Sequence, residues 1–161
     1  MKCDLTRLKI YLDMDGVIAD FEKRFIEHAG KPSIQCTRVE LWGTVVSIPG
    51  FWANLEWTPG GEQLWALLAD HHYLCILSAC GSHDTARATV EKNEWLDAKI
   101  GRCNRIFKTQ SVEKHHLAGP HCLLIDDYKR NTDAWVKAGG IAILHKTFEK
   151  TLAQLKALGV L

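Results

Sequence analysis

Ile10-Tyr11-Leu12-Asp13-Met14-Asp15-Gly16-Val17 is the stretch on which the fold turns. An apolar run ends in two carboxylates two residues apart, followed by a glycine. In an extended chain, residues i and i+2 share a face. Asp13 and Asp15 therefore project together, and Met14 turns back into the interior. Two like charges that close repel unless a cation sits between them or one keeps a proton. A second apolar run ends in the same manner, in Leu123-Leu124-Ile125-Asp126-Asp127. Four carboxylates at two strand ends predict one site built around a divalent metal.

Outward from the first run, residues 8–13 read as a strand and 20–29 as a short helix with Phe21, Phe25 and Ile26 on one face. Between Gly30 and Gly61 the periodicity breaks. Pro32, Gly43, Pro49, Gly50, Pro59 and Gly60 punctuate a stretch crowded with Trp42, Phe51, Trp52 and Trp57. A structureless connection of that length is usually functional, and residues 20–60 read as a small cap inserted into a core formed by 1–19 and 61–161.

Alternation follows. Helices are expected over 62–71, 83–98 (with Ser82 as N-cap), 130–138 and 148–158. Strands are expected over 73–77, 105–107, 121–125 and 141–144. Residues 110–118 fit one helical turn. Strands and helices alternating in this way give an α/β fold: an open parallel sheet with helices on both faces. Such sheets bind ligands at the carboxyl ends of their strands, where Asp13, Ser78 and Asp126 stand.

The 161 residues suffice for one domain and a small insertion. With 20 basic and 19 acidic side chains, the net charge of +1 gives no general attraction for nucleic acid or anionic lipid. A local site can still take a small anion. No apolar run approaches a membrane span, and Met1–Arg7 lacks the apolar segment of a signal peptide. The six cysteines, without a Cys-x-x-Cys pair or zinc spacing, read as reduced residues of a cytoplasmic protein.

Carboxylates at strand ends beside a divalent cation suit phosphoryl chemistry. A magnesium ion bridging carboxylate and phosphate lowers the charge that repels a nucleophile. Asp13 is placed to attack phosphorus and form an aspartyl-phosphate. Asp15 can protonate the leaving alkoxide and then deprotonate the hydrolytic water. Gly16 allows a sharp turn past the metal. Ser78, with backbone N–H groups near it, can hold phosphate oxygens. A lysine is still required, and both Lys108 and Lys114 precede the second acidic pair. His71-His72 and His115-His116 lack a partner at ligand spacing and read as surface pairs. Lys129-Arg130 reads as a solvated helix start. Trp65, Trp95 and Trp135 read as packing residues.

These residues carry a resemblance. Asp13-Met14-Asp15-Gly16-Val17, then Ser78, then a lysine, then Leu124-Ile125-Asp126-Asp127 look like motifs I to IV of the haloacid dehalogenase (HAD) superfamily of phosphohydrolases. Asp13 through Glu22, Pro49 through Glu56 with Pro59-Gly60, and Leu123 through Asp127 are similar to the 5'(3')-deoxyribonucleotidase branch. Asn131 through His145 resembles its small phage and bacterial members. The resemblance spans about residues 8–146 and implies a Rossmann-like HAD fold. It also implies a Mg2+-dependent phosphomonoesterase acting on a nucleoside monophosphate, with sugar phosphates or nucleic-acid ends as alternative substrates and an idle phosphate-binding module as the non-enzymatic alternative.

By the same resemblance Asp13 is nucleophile and metal ligand, and Asp15 is acid/base and a ligand through its carbonyl. Ser78 and the Ala79 amide hold phosphate, and Lys114, rather than Lys108, neutralises it. Asp127 binds metal directly, with Asp126 beside it or through water. Phe21 and Phe51 match positions of the base pocket; Trp42 and Trp52 join them on composition. The chain departs from the animal enzymes in a shorter segment before Pro49 and in Thr109-Gln110-Ser111, where they carry an arginine. Both departures bear on selectivity for the nucleotide.

Overall fold

The computed structural model describes residues 8–71 and 73–161. Residues 1–7, read for a leader segment, and His72 of the His71-His72 pair lie outside the described residues. The elements run β1 (Lys9–Leu12), α1 (Phe21–Ala29), α2 (Arg38–Ser47), α3 (Gly61–Leu68), β2 (Leu74–Ala79), α4 (Thr85–Lys99), β3 (Asn104–Lys108), β4 (Cys122–Asp126), α5 (Lys129–Lys137), β5 (Ile141–Leu144) and α6 (Phe148–Ala157). Short 3-10 turns occupy Ser33–Gln35 and Ser111–Leu117.

Five parallel strands form one sheet in the order β3-β2-β1-β4-β5. The pleat divides the strands between two apolar layers. Ile10, Leu12, Ile76, Leu123 and Ile125 face the larger one, with Phe25, Leu64, Leu68, Trp95, Leu96 and Leu155 from the helices. Tyr11, Cys75, Leu77 and Leu124 face the other, closed by Trp135 of α5. Helices on both faces explain why the strands read as nearly continuous apolar runs. Trp95 and Trp135 are fully buried packing residues, each with its indole N–H on a backbone carbonyl, Leu55 and Cys122 respectively.

The connection leaving β1 runs to β2 and the one leaving β4 runs to β5, in opposite directions, so the order reverses between β1 and β4 and a crevice opens there. Leu12 lies beside Ile76 on one side and Ile125 on the other. Asp13 and Asp126 therefore emerge side by side at that crevice, with Ser78 one row further along β2.

The stretch between Gly30 and Gly61 is more regular than its punctuation suggested. It contains α2, opened by a reciprocal capping box between Thr37 and Glu40. Its apolar residues Val45, Phe51, Trp52 and Leu55 join the larger core layer instead of forming one of their own. Helix α4 fastens this stretch. Arg87 donates to the carbonyls of Val45 (3.0 Å) and Val46 (2.8 Å) at the end of α2. The Glu91 carboxylate accepts from the backbone N–H of Gly50 (3.0 Å) and Trp52 (3.1 Å). Trp95 donates to the Leu55 carbonyl at 2.8 Å. The N-cap of α4 is Asp84, whose carboxylate accepts from the Arg87 N–H at 3.3 Å. Ser82, expected in that role, is exposed on the preceding loop.

Candidate active site

A cavity of about 590 Å³ opens at the carboxyl ends of the strands. Asp13, Asp15, Gly16, Ala79, Lys114 and Asp127 form its inner part, and Phe21, Arg38 and Trp42 stand on the side of α1 and α2. The sequence-predicted carboxylates thus meet. One oxygen each from Asp13, Asp126 and Asp127 lies within 4.8 Å of the others.

Lys114 binds this cluster together. Carried on the 3-10 turn after β3, it is 2% exposed, and its ammonium lies 2.7 Å from Asp13 Oδ1 and 2.7 Å from Asp126 Oδ2. Burial works against the ammonium, but the two carboxylates outweigh it and raise its pKa. Lys108 is the last residue of β3, where its carbonyl accepts from the Cys80 N–H. Between the two lysines, Lys114 is the one among the carboxylates.

Asp126 is completely buried and accepts from Lys114, from the Tyr128 N–H at 2.9 Å and from the Asn131 side-chain amide at 3.1 Å to each oxygen. Asp13 Oδ1 accepts from Lys114 and from the Met14 N–H at 2.8 Å. Those bonds leave Oδ2 as the oxygen for other work. Burial raises the Asp13 carboxyl well above its ordinary range; Lys114 opposes the rise, and Asp126, Asp127 and Asp15 reinforce it. Asp127 is pushed up to about 6, by burial first and then by the charges of Asp126 and Asp15.

Both shifts express a cluster short of positive charge. Four carboxylates face two buried ammoniums, Lys114 and Lys92, and the two uncompensated charges match one divalent cation. Carboxylate oxygens gathered in this way suit a hard divalent cation. The backbone is shaped to the same end. Gly16 has φ +74°, and a Cβ there would stand 2.1 Å from Asp127 Oδ2. Only glycine admits both that conformation and that carboxylate.

Lys92 was not foreseen. It sits mid-way along α4, fully buried, with its ammonium 2.5 Å from Asp15 Oδ2, 2.7 Å from the Ala79 carbonyl and 2.9 Å from the Ser78 hydroxyl. Asn131, in sequence only the start of a similar segment, likewise reaches the site through Asp126, while Lys92 takes up Ser78. The Ser78 hydroxyl is therefore turned to Lys92 and is off the cavity wall, whereas Ala79 lines it. Of the four pocket aromatics expected, Phe21 and Trp42 line the cavity. Phe51 and Trp52 do not. They are 0% and 3% exposed, Phe51 packs edge-on against Phe21 (5.2 Å) and Trp52 (5.4 Å), and both belong to the core. Large aromatic rings gain more from full burial than from a wet wall.

Trp42 stacks on His83 at 5.3 Å and 23°, joining α2 to the loop after β2. Thr109, Gln110 and Ser111 also line the cavity. Arg38 and Arg130 stand on its walls, exposed, and neither has an ion-pair partner among the described residues. Arg130, expected to be a plain solvated residue, thus belongs to the cavity. His115 and His116 pack on each other, and the Asp13–Asp126–Asp127 group is the one metal-competent cluster among the described residues. The described cysteines, Cys36, Cys75, Cys80, Cys103 and Cys122, are free thiols. No helix of the described residues is long and apolar enough to cross a membrane.

No protein-family profile and no curated protein matches the sequence. Solved structures do resemble the fold. A haloacid dehalogenase-like family hydrolase from Xanthomonas campestris is 11% identical, with 96% of this chain and 93% of that chain covered and a TM-score of 0.58. A hydrolase from Streptococcus pneumoniae TIGR4 is 13% identical over 93% of this chain and 99% of its own, with a TM-score of 0.54. A hydrolase from Pseudomonas syringae is 13% identical over 93% and 98%, with a TM-score of 0.51. The fold is the Rossmann-like fold of HAD hydrolases.

Proposed function

We propose that the protein is a magnesium-dependent phosphomonoesterase of the HAD type whose substrate is a nucleoside monophosphate. The observation that carries this reading is the convergence of Asp13, Asp126 and Asp127 on one point, with Lys114 between two of them and Asp15 on the same cavity.

Asp13, Asp126 and Asp127 would hold the ion, together with the Asp15 carbonyl. A bound magnesium ion supplies the positive charge that lets a carboxylate approach a phosphate. Asp13 Oδ2 attacks phosphorus, the P–O bond to the leaving group breaks, and its electron pair stays on the ester oxygen. Asp15 gives that oxygen a proton, releasing an alcohol. Water then attacks the aspartyl-phosphate while Asp15 takes back a proton. The bond to Asp13 breaks, giving inorganic phosphate and a restored carboxylate. Lys114, charged and buried, keeps Asp13 oriented and offsets phosphate charge. Phe21 and Trp42 offer ring faces to a base, under a cap formed by residues 20–60.

A screen of phosphate esters with magnesium tests the assignment. Nucleoside monophosphates are expected to lead, and Asp13→Asn is expected to lower phosphate release by about 10³-fold or more, since a carboxamide forms no acyl phosphate. Near-normal rates in that variant would refute the mechanism.

One observation favours a second reading. Arg38 and Arg130, without an ion-pair partner among the described residues, stand on the same cavity, and phosphodiesters are bound by such side chains. A nucleic-acid end, with a further phosphate beyond the scissile one, would engage them. Faster hydrolysis of a 5'-phosphorylated dinucleotide than of a mononucleotide would select this substrate class.

A further inference from the structure

Lys92 has no part in the chemistry as set out so far, yet it is among the most completely buried side chains in the molecule. An ammonium has three donors and no acceptor. Asp15 Oδ2, the Ala79 carbonyl and the Ser78 hydroxyl occupy all three, at 2.5, 2.7 and 2.9 Å. Lys92 therefore has no N–H left for a phosphate, and it is absent from the cavity lining. Whatever it does, it does through its partners.

Asp15 is held unevenly. Its Oδ2 is fixed by Lys92, while its Oδ1 is shielded from water and has no hydrogen-bond partner. An orphaned, buried carboxylate oxygen is costly, so the grip of Lys92 on Oδ2 is what holds Asp15 in this pose. The ammonium itself is set by a rigid support. Its helix is pinned at Arg87, Glu91 and Trp95, and the ammonium lies 5.7 Å from the centre of the Trp52 ring. The Asp15 carboxylate is thereby held through Oδ2 by a group carried on α4.

We propose that Lys92 is the positioning residue of the acid/base step: by anchoring Asp15 Oδ2 it fixes the pose in which this carboxyl, on the cavity wall, meets the ester oxygen of the leaving group. The inference rests on the phosphomonoesterase reading above. Its consequence is selective. An alkoxide leaving group needs the proton that Asp15 delivers; a nitrophenolate leaves without one. Loss of Lys92 should damage the first reaction far more than the second.

Single-turnover release of the alcohol, which isolates phosphoryl transfer from hydrolysis of the aspartyl-phosphate, is measured with magnesium for a nucleoside monophosphate and for p-nitrophenyl phosphate. Lys92→Met is expected to slow the nucleotide about 100-fold and the nitrophenyl ester less than about 10-fold, the span of general acid catalysis. Asp15→Asn should show the same pattern, and the double variant should be little worse than Asp15→Asn alone. Lys92→Arg, which keeps the charge, should recover part of the nucleotide rate. Equal losses on both esters in folded Lys92→Met, or no loss on either, would overturn the proposal. Should Lys92→Met not fold, as judged by its melting transition, the ratio of the two rates in Lys92→Arg decides: an unchanged ratio rejects the role. Failure of the unaltered protein to release either alcohol rejects the phosphomonoesterase reading instead.

Discussion

On the inner side of the cavity, Lys114, Asp126 and Asp13 each have two or more polar partners at 2.7 to 3.1 Å. On the side of α1 and α2, Phe21 and Trp42 touch mainly other rings: Phe25 and Phe51 for the first, His83 for the second. The first region is a network in which each group answers for its neighbours. The second is a set of contacts that can change one at a time. A substitution in the network strands buried partners as well as removing one group, whereas a substitution among the rings alters fit alone.

Lys114→Met tests the network most severely. It leaves Asp126, completely buried, without its cation. Removing one partner of a buried pair costs about 3–5 kcal/mol, and the loss of charge on the phosphate side should lower turnover by about 10²-fold or more. Urea unfolding and phosphate release measure the two effects. A stability change under about 1 kcal/mol would mean that the network is far looser than its distances indicate.

Proton competition sharpens the contrast at intermediate size. Asp127 is raised to about 6, so in the absence of cation the folded protein binds more protons than the unfolded chain between its ordinary value and about 6. Stability without magnesium should therefore fall as pH rises through that window. A bound cation reverses the preference, because it requires the carboxylate. The magnesium-induced rise in melting temperature should be larger at about pH 7.5 than at about pH 5. Equal shifts at the two values would remove Asp127 from the ion's ligands.

Trp42→Ala should have the smallest effect. A stacking contact is worth about 0.5–1.5 kcal/mol, so KM for a nucleotide should rise about 3- to 10-fold, with kcat and the melting temperature nearly unchanged. A large fall in kcat would show that the aromatic side is tied to the chemistry after all.

The same contrast governs what the sequence discloses. Asp13, Asp126 and Asp127 are legible because each follows an apolar strand, and the parallel register of β1 and β4 then leaves them no other place to go. Lys114 is legible once a counter-charge is required. Lys92 is not. In Val90-Glu91-Lys92-Asn93 it looks like any exposed helix lysine, and only the packing of α4 into the larger core layer through Ala88, Trp95 and Leu96 drives it inward. The three-residue spacing of Thr37 and Glu40 is that of a capping box and marks the start of α2, but Gly43 and the surrounding prolines mask it. Phe51 and Trp52 mislead for a related reason. An aromatic residue is as suited to a core as to a ligand wall, and its neighbours in sequence do not say which it meets.

The grip of α4 on residues 45–55 has a consequence for how molecules reach the carboxylates. Five hydrogen bonds from Arg87, Glu91 and Trp95 hold that stretch down. At about 1 kcal/mol each, swinging it away would cost roughly 5 kcal/mol before any apolar surface is exposed. Whatever reaches the carboxylates therefore does so with residues 45–55 in place, as a fixed boundary and not a hinge.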